Sequence, residues 1–124
     1  MKQKPEVLCV DDEPEVLEGL KLHLKRHYTV HLAPGGPQGL EFLRDNRSIA
    51  VILSDMRMPE MDGAKFLNAA RTASPTSVRM LLTGYADMQS AIAAINEGQI
   101  FRFISKPCEP DHLIGAFRAA VEQH

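Results

Sequence analysis

Cysteine is scarce in this sequence, with two residues, Cys9 and Cys108, among 124. That is not the bridged framework of a small secreted scaffold, and Cys9, inside an apolar run, reads as a buried thiol. No long apolar stretch precedes the charges of the opening MKQKPEVLCVDDE. A signal peptide or membrane span is excluded there, and a cytoplasmic protein with no membrane partner is expected. A basic excess is lacking too. The formal charge is −2, whereas a duplex-binding module carries a basic face. Acids offset the short run Lys21, Lys25, Arg26, so no direct nucleic-acid contact is expected. Repeats and low-complexity tracts are absent. Pro34-Gly35-Gly36-Pro37-Gln38-Gly39 lacks the Lys-Ser/Thr of a phosphate-binding loop and reads as a turn. His23 and His27 would make half a metal site, but no Cys, Asp or Glu stands ready to complete it, so they read as solvated. No Ser-His-Asp or Cys-His arrangement emerges.

What is present is an ordinary globular mixture, 44% hydrophobic and 24% charged, at a length suited to one domain. Short apolar runs alternate with helical patterns. Val7 to Val10 reads as a buried strand, and Pro14 then suits a first helical turn. Val16, Leu20 and Leu24, with Leu17 beside them, give that helix an apolar stripe. Tyr28 to Ala33 is a more polar strand, nearer a sheet edge. Leu40, Phe42 and Leu43 suggest a short helix ending near Asn46. Ile49 to Leu53 is uniformly apolar, as a strand covered on both faces should be. Gly63 to Ala73 predicts a helix facing inward with Phe66, Leu67 and Ala70. Val78 to Leu82 predicts a strand. Met88, Ile92 and Ile95 mark a fourth helix that Gly98 helps to end. Ile100 to Ile104 predicts a fifth strand, and Leu113, Phe117 and Val121, flanked by Ile114 and Ala120, a last helix. Such alternation predicts a parallel sheet with helices on both faces.

In open parallel sheets, ligands sit beyond the carboxyl ends of the strands. The first strand delivers Asp11, Asp12 and Glu13 there, the third Asp55, the fourth Thr83 and the fifth Lys106. Singly, each is ordinary: an Asp-Asp-Glu string caps a helix, and a Thr-Gly or Lys-Pro is a turn. In strand order, the four converge. Two unit charges about 4 Å apart repel by about 4 kcal/mol at an effective dielectric near 20, so clustered carboxylates take up protons or hold a cation. Oxygen ligands with room for water suit Mg²⁺, and soft ligands for zinc are missing. A phosphoryl group joined to Asp55 brings about two negative charges. Mg²⁺ and Lys106 offset them, and the Thr83 hydroxyl can donate to a phosphoryl oxygen. In the loop Met56 to Gly63, Pro59 stiffens the chain, Gly63 permits a tight turn, and a backbone carbonyl can serve the metal.

The segments VLCVDDEP, VILSDMRMPEMDG, LLTGYAD and FISKP closely resemble the signature blocks of response-regulator receiver domains. The resemblance runs from about Val7 to Val121. It implies a single doubly wound α/β domain, flavodoxin-like, with a five-stranded parallel sheet in order 2-1-3-4-5. It implies Asp55 as phosphoacceptor and Asp12 as a direct Mg²⁺ ligand, with Asp11 holding metal-bound water. Arg57 would offer its backbone carbonyl to the metal, and Thr83 and Lys106 would bind phosphoryl oxygens. The Lys106-Pro107 peptide is often cis in this family. Phe103 falls at the switch aromatic, without the hydroxyl of the more usual Tyr. Arg57 and Tyr85 would flank the approach to the acyl phosphate and slow attack by water.

The expected function is phosphorelay. A sensor histidine kinase or phosphotransfer protein donates to Asp55. The surface of the fourth helix, fifth strand and last helix then meets an output domain in cis, a partner protein, or a second receiver in a homodimer. No turnover of an external substrate is expected. Residues 1–124 are expected to be one receiver domain of a longer response regulator. INEGQIFRFISKP is similar to receivers attached to signalling enzymes, cyclic-dinucleotide phosphodiesterases among them, and assigns no output. Two rival readings stand beside this one. A Mg²⁺-dependent phosphohydrolase with an aspartyl-phosphate intermediate would want an acid where Arg57 stands. A phosphorylation-independent interaction module would not need Asp12, Asp55, Thr83 and Lys106 intact.

Overall fold

The computed structural model describes residues 4–46, 48–84, 87, 89, 92, 100–106 and 108–124. The elements run β1 (Glu6–Val10), α1 (Pro14–Leu24), β2 (Thr29–Ala33), α2 (Gly36–Asp45), β3 (Ile49–Asp55), α3 (Gly63–Ala73), β4 (Val78–Thr83), β5 (Arg102–Ser105) and α4 (Pro110–Gln123). All neighbouring strands pair in parallel, in the order β2-β1-β3-β4-β5. This is the flavodoxin-like receiver arrangement expected from the sequence. The helix expected around Met88, Ile92 and Ile95 falls mostly outside the described residues, as do Tyr85, Gly98 and Pro107. Within that stretch Gln89 and Ile92 are helical.

Side chains alternate across each strand, so every strand feeds two cores. Val7, Cys9, Val51, Leu53, Met80, Leu82 and Ile104 pack on one face with α1 and α4. Leu8, Val10, Ile49, Ile52 and Leu81 pack on the other with α2 and α3. Ala50 and Val51, although adjacent, both belong to the first face. The β1–β3 register skips Ala50 at an irregularity between Glu6 and Val7, which is what one extra residue in a strand does. Every residue of β3 is buried, as its composition predicted, and β2 is the half-exposed edge.

Some boundaries and phases differ from expectation. β3 continues through Ser54 and Asp55, and the Met56 N–H extends the ladder to the Leu82 carbonyl at 3.1 Å. β5 begins at Arg102 rather than Ile100; Ile100 packs on the second core, so apolarity there reflects packing without ladder pairing. Tyr28 lies before β2, buried, with its ring centroid 5.8 Å from that of Phe117. In α4 the inward line is Leu113, Ala116, Phe117 and Ala120, with Val121 at its flank. In α1, Leu17 and Leu24 are the buried pair. The α3 face is the predicted one, with Phe66, Leu67 and Ala70 buried.

Candidate functional site at the carboxyl rim of the sheet

Four adjacent strands end at one rim, and backbone bonds hold the loops beyond them in register. The Asp11 N–H donates to Ala33 (3.2 Å) and the Lys106 N–H to Thr83 (3.0 Å). Asp55 closes β3 beside Leu82, and Thr83 closes β4 beside Ser105. The ladder that buries the strands therefore also sets the spacing of the rim.

Oxygens of Asp11, Asp12 and Asp55 lie within 4.8 Å of one another. Asp11 and Asp55 are buried, while Asp12 is exposed. One oxygen of Asp11 accepts the Glu13 N–H at 2.9 Å. The other is buried with no hydrogen-bond partner. Burial pushes the Asp11 carboxyl up to about 6, and the charges of Asp55 and Asp12 add to that push, against the opposing Glu13 hydrogen bond and Lys106 charge. An orphaned buried oxygen costs about 1–3 kcal/mol or more. Three carboxylates, one of which has an unsatisfied buried oxygen, fit a hard divalent cation such as Mg²⁺.

Lys106 forms an ion pair with Asp55. Burial works against the Lys106 charge, but the hydrogen bond and charge of Asp55, aided by Asp11 and Glu13, outweigh it and hold the ammonium above its usual range. Thr83 is fully buried, and its hydroxyl donates to the Gly84 carbonyl at 3.3 Å, not to Asp55. Phe103 is half-buried against the second core and faces a cavity of about 510 Å³ shared with Cys108 and His112.

The loop after Asp55 is shaped by two residues. Glu60, not a glycine, takes the left-handed conformation (φ 68°). The tight-turn role expected of Gly63 is corrected: its φ is not positive, and what it supplies is space, because a Cβ there would collide with the Asp55 carbonyl. The Gly63 N–H donates to Met56 (2.8 Å), and the Asp62 carboxylate caps α3 by accepting the Lys65 N–H (2.8 Å). Arg57 is exposed, and its Nε donates to Asp87 at 2.8 Å. That ion pair spans 30 positions, and no local pattern announces it.

The residues set aside from the sequence are not part of the acidic cluster. His23 and His27 are exposed. Cys9 and Cys108 are free, and burial pushes the Cys9 thiol up to about 12. No helix among the described residues is long and apolar enough to cross a membrane.

Residues 7–118 match the family described as response regulator receiver domain. Among curated proteins, the chain is 38% identical over 116 residues to the hydrogenase transcriptional regulatory protein HoxA of Cupriavidus necator, covering 94% of this chain and 24% of that protein. It is 35% identical over 125 residues to the transcriptional regulatory protein GlrR of Escherichia coli, covering 99% of this chain and 28% of that protein. The chain thus spans about a quarter of the length of these relatives. Among solved structures, it resembles an adenylate cyclase from Rhodopirellula baltica (TM-score 0.92, 38% identity, 97% of this chain and 89% of that one). It also resembles the signal receiver domain of an HD domain-containing protein from Pseudomonas fluorescens Pf-5 (TM-score 0.90, 36% identity, 98% and 97%).

Proposed function

This chain belongs to the response regulator receiver family, and from that premise we propose that it is a phosphorylation switch whose acceptor is Asp55. The observation that carries the reading is the meeting of Asp55 with Lys106 on one side and with Asp11 and Asp12 on the other. A nucleophilic carboxylate, a fixed ammonium and a set of cation ligands are the parts that phosphoryl transfer uses.

A phosphohistidine on a sensor kinase or phosphotransfer protein donates in line. The P–N bond breaks as a P–O bond forms to Asp55, and the donor imidazole leaves with the electron pair. Asp55 loses its own charge in the step, and its ion pair with Lys106 is exchanged for one between Lys106 and the phosphoryl oxygens. Thr83 turns its hydroxyl from the Gly84 carbonyl to the same oxygens. Asp12, Asp55 and the Arg57 carbonyl would hold Mg²⁺, with Asp11 behind them, and the ion would supply positive charge against the transferring group.

No external substrate is turned over. At the position where a phosphohydrolase would want an acid stands Arg57, turned to Asp87. The state of Asp55 is read by an output domain in cis, by a partner protein or by a second receiver. Relatives in which the matching stretch is about a quarter of a transcriptional regulator support an output in cis. Adenylate cyclase and HD-domain neighbours keep an enzymatic output equally in view.

Incubation with Mg²⁺ and acetyl phosphate, followed by intact-mass measurement, tests the proposal. Wild type gains one phosphoryl group and Asp55→Asn gains none. Equal labelling of the two, or multiple turnover of a phosphate ester, would overturn it.

A further inference from the structure

The Gly84 carbonyl accepts two hydrogen bonds: the Thr83 hydroxyl at 3.3 Å and the Asp87 N–H at 3.1 Å. Asp87 is in turn held from its side chain by Arg57, Nε to Oδ1, at 2.8 Å. The two partners differ sharply in setting, with Arg57 75% exposed and Asp87 only 19%. Both line a cavity of about 450 Å³ that also takes in Asp12 and Met56, and so opens beside the acceptor. Arg57 lies two residues beyond Asp55 on one loop, and Asp87 lies beyond β4. One ion pair therefore bridges the acceptor's loop to the carbonyl that keeps the Thr83 hydroxyl away from Asp55.

We infer that Arg57 and Asp87 form a latch on the unphosphorylated state, with Asp87 a positioning residue that acts through Gly84 on Thr83. This rests on the reading of Asp55 as phosphoacceptor. For the Thr83 hydroxyl to reach a phosphoryl oxygen it must leave the Gly84 carbonyl, and the Arg57 pair holds that carbonyl's other donor in place. A dianion arriving on Asp55 offers the Arg57 guanidinium a rival for Asp87. Release of Asp87 then frees the carbonyl and the hydroxyl together. An ion pair with one partner so exposed is worth little, so the latch biases the switch without locking it.

The test compares initial rates of labelling by acetyl phosphate with Mg²⁺ for wild type, Asp87→Asn, Arg57→Ala and the double variant, read by intact mass. Thermal unfolding of each verifies that it is folded. Asp87→Asn is expected to label roughly two- to fivefold faster than wild type at low salt. The advantage should shrink toward none at about 1 M salt, where screening reaches only about 3 Å. Asp87→Asn should add nothing in the Arg57→Ala background. A rate for Asp87→Asn at or below wild type would overturn the latch. So would the same acceleration in the absence of Arg57, because removal of one negative charge near an anion's path would then suffice. If wild type labels at Asp55 and the variants do not differ, only the latch fails. If wild type takes no phosphoryl group, the acceptor reading fails and the latch with it.

Discussion

Glu6 opens β1 and Asp11 follows its last residue, so one strand carries a carboxylate at each end. Their settings are opposite. The two oxygens of Glu6 each have a partner, His31 Nε2 at 2.9 Å and Ser48 Oγ at 2.9 Å. Those hydrogen bonds, from His31 first and then Ser48, hold the Glu6 carboxyl below its ordinary range. Asp11 has an oxygen with no partner, and burial raises its carboxyl to about 6. The amino end of the sheet uses its acid to stay folded. The carboxyl end carries one whose need is met only by something from outside.

Substitution of each acid by its amide tests that contrast from both sides. The largest effect is expected on Mg²⁺ binding. Asp11→Asn should lower Mg²⁺ affinity by roughly 10- to 100-fold, the range for a group that orients a metal's ligands, while Glu6→Gln leaves it unchanged. Titration calorimetry would decide, and equal affinities for both variants would break the contrast.

Next comes stability without metal. The Asp11 carboxyl is raised in the fold from 3.8 to about 6. The folded state therefore holds the proton more tightly, and this residue favours folding most below about pH 4, with the advantage lost as pH rises through about 6. A tenfold difference in proton affinity between folded and unfolded chain corresponds to about 1.4 kcal/mol. Asp11→Asn should thus stabilise the metal-free protein by roughly 1–2 kcal/mol at pH 7.5 and by nothing below about pH 4. Urea unfolding in a chelator measures this, and a loss of stability at pH 7.5 would refute it.

Gly63→Ala, which forces a methyl toward the Asp55 carbonyl, should cost about 1–3 kcal/mol in urea unfolding. It should also slow labelling of Asp55, because the residue pushed is the acceptor itself. The smallest effect belongs to Glu6→Gln. Its side chain is 35% exposed, so after solvent screening the loss is under about 1 kcal/mol. The sign is reversed from Asp11: the Glu6 contribution is present above about pH 4.5 and fades as the carboxyl takes its proton.

The sheet order and the convergence of Asp11, Asp12, Asp55 and Lys106 were legible because buried parallel strands leave apolar runs in the sequence, and the residues after those runs must share a rim. What stayed hidden depends on contacts between distant positions or on single torsions. Nothing local links Arg57 with Asp87, or Glu6 with His31 and Ser48. The bond from Thr83 to Gly84 is one rotamer among three. The inward line of α4 departs from expectation at Val121 because bulk marks the stripe in the sequence, while Ala116 and Ala120 are the residues that let the helix lie close to the sheet.

The two thiols give this protein a natural place for a dye. Cys9 is sealed in the core and holds its proton to about pH 12, whereas Cys108 is half-buried, two positions past Lys106. A maleimide fluorophore would therefore attach at residue 108 alone in the native protein, with no engineered cysteine. Its emission would report events at the Lys106 end of the rim in real time.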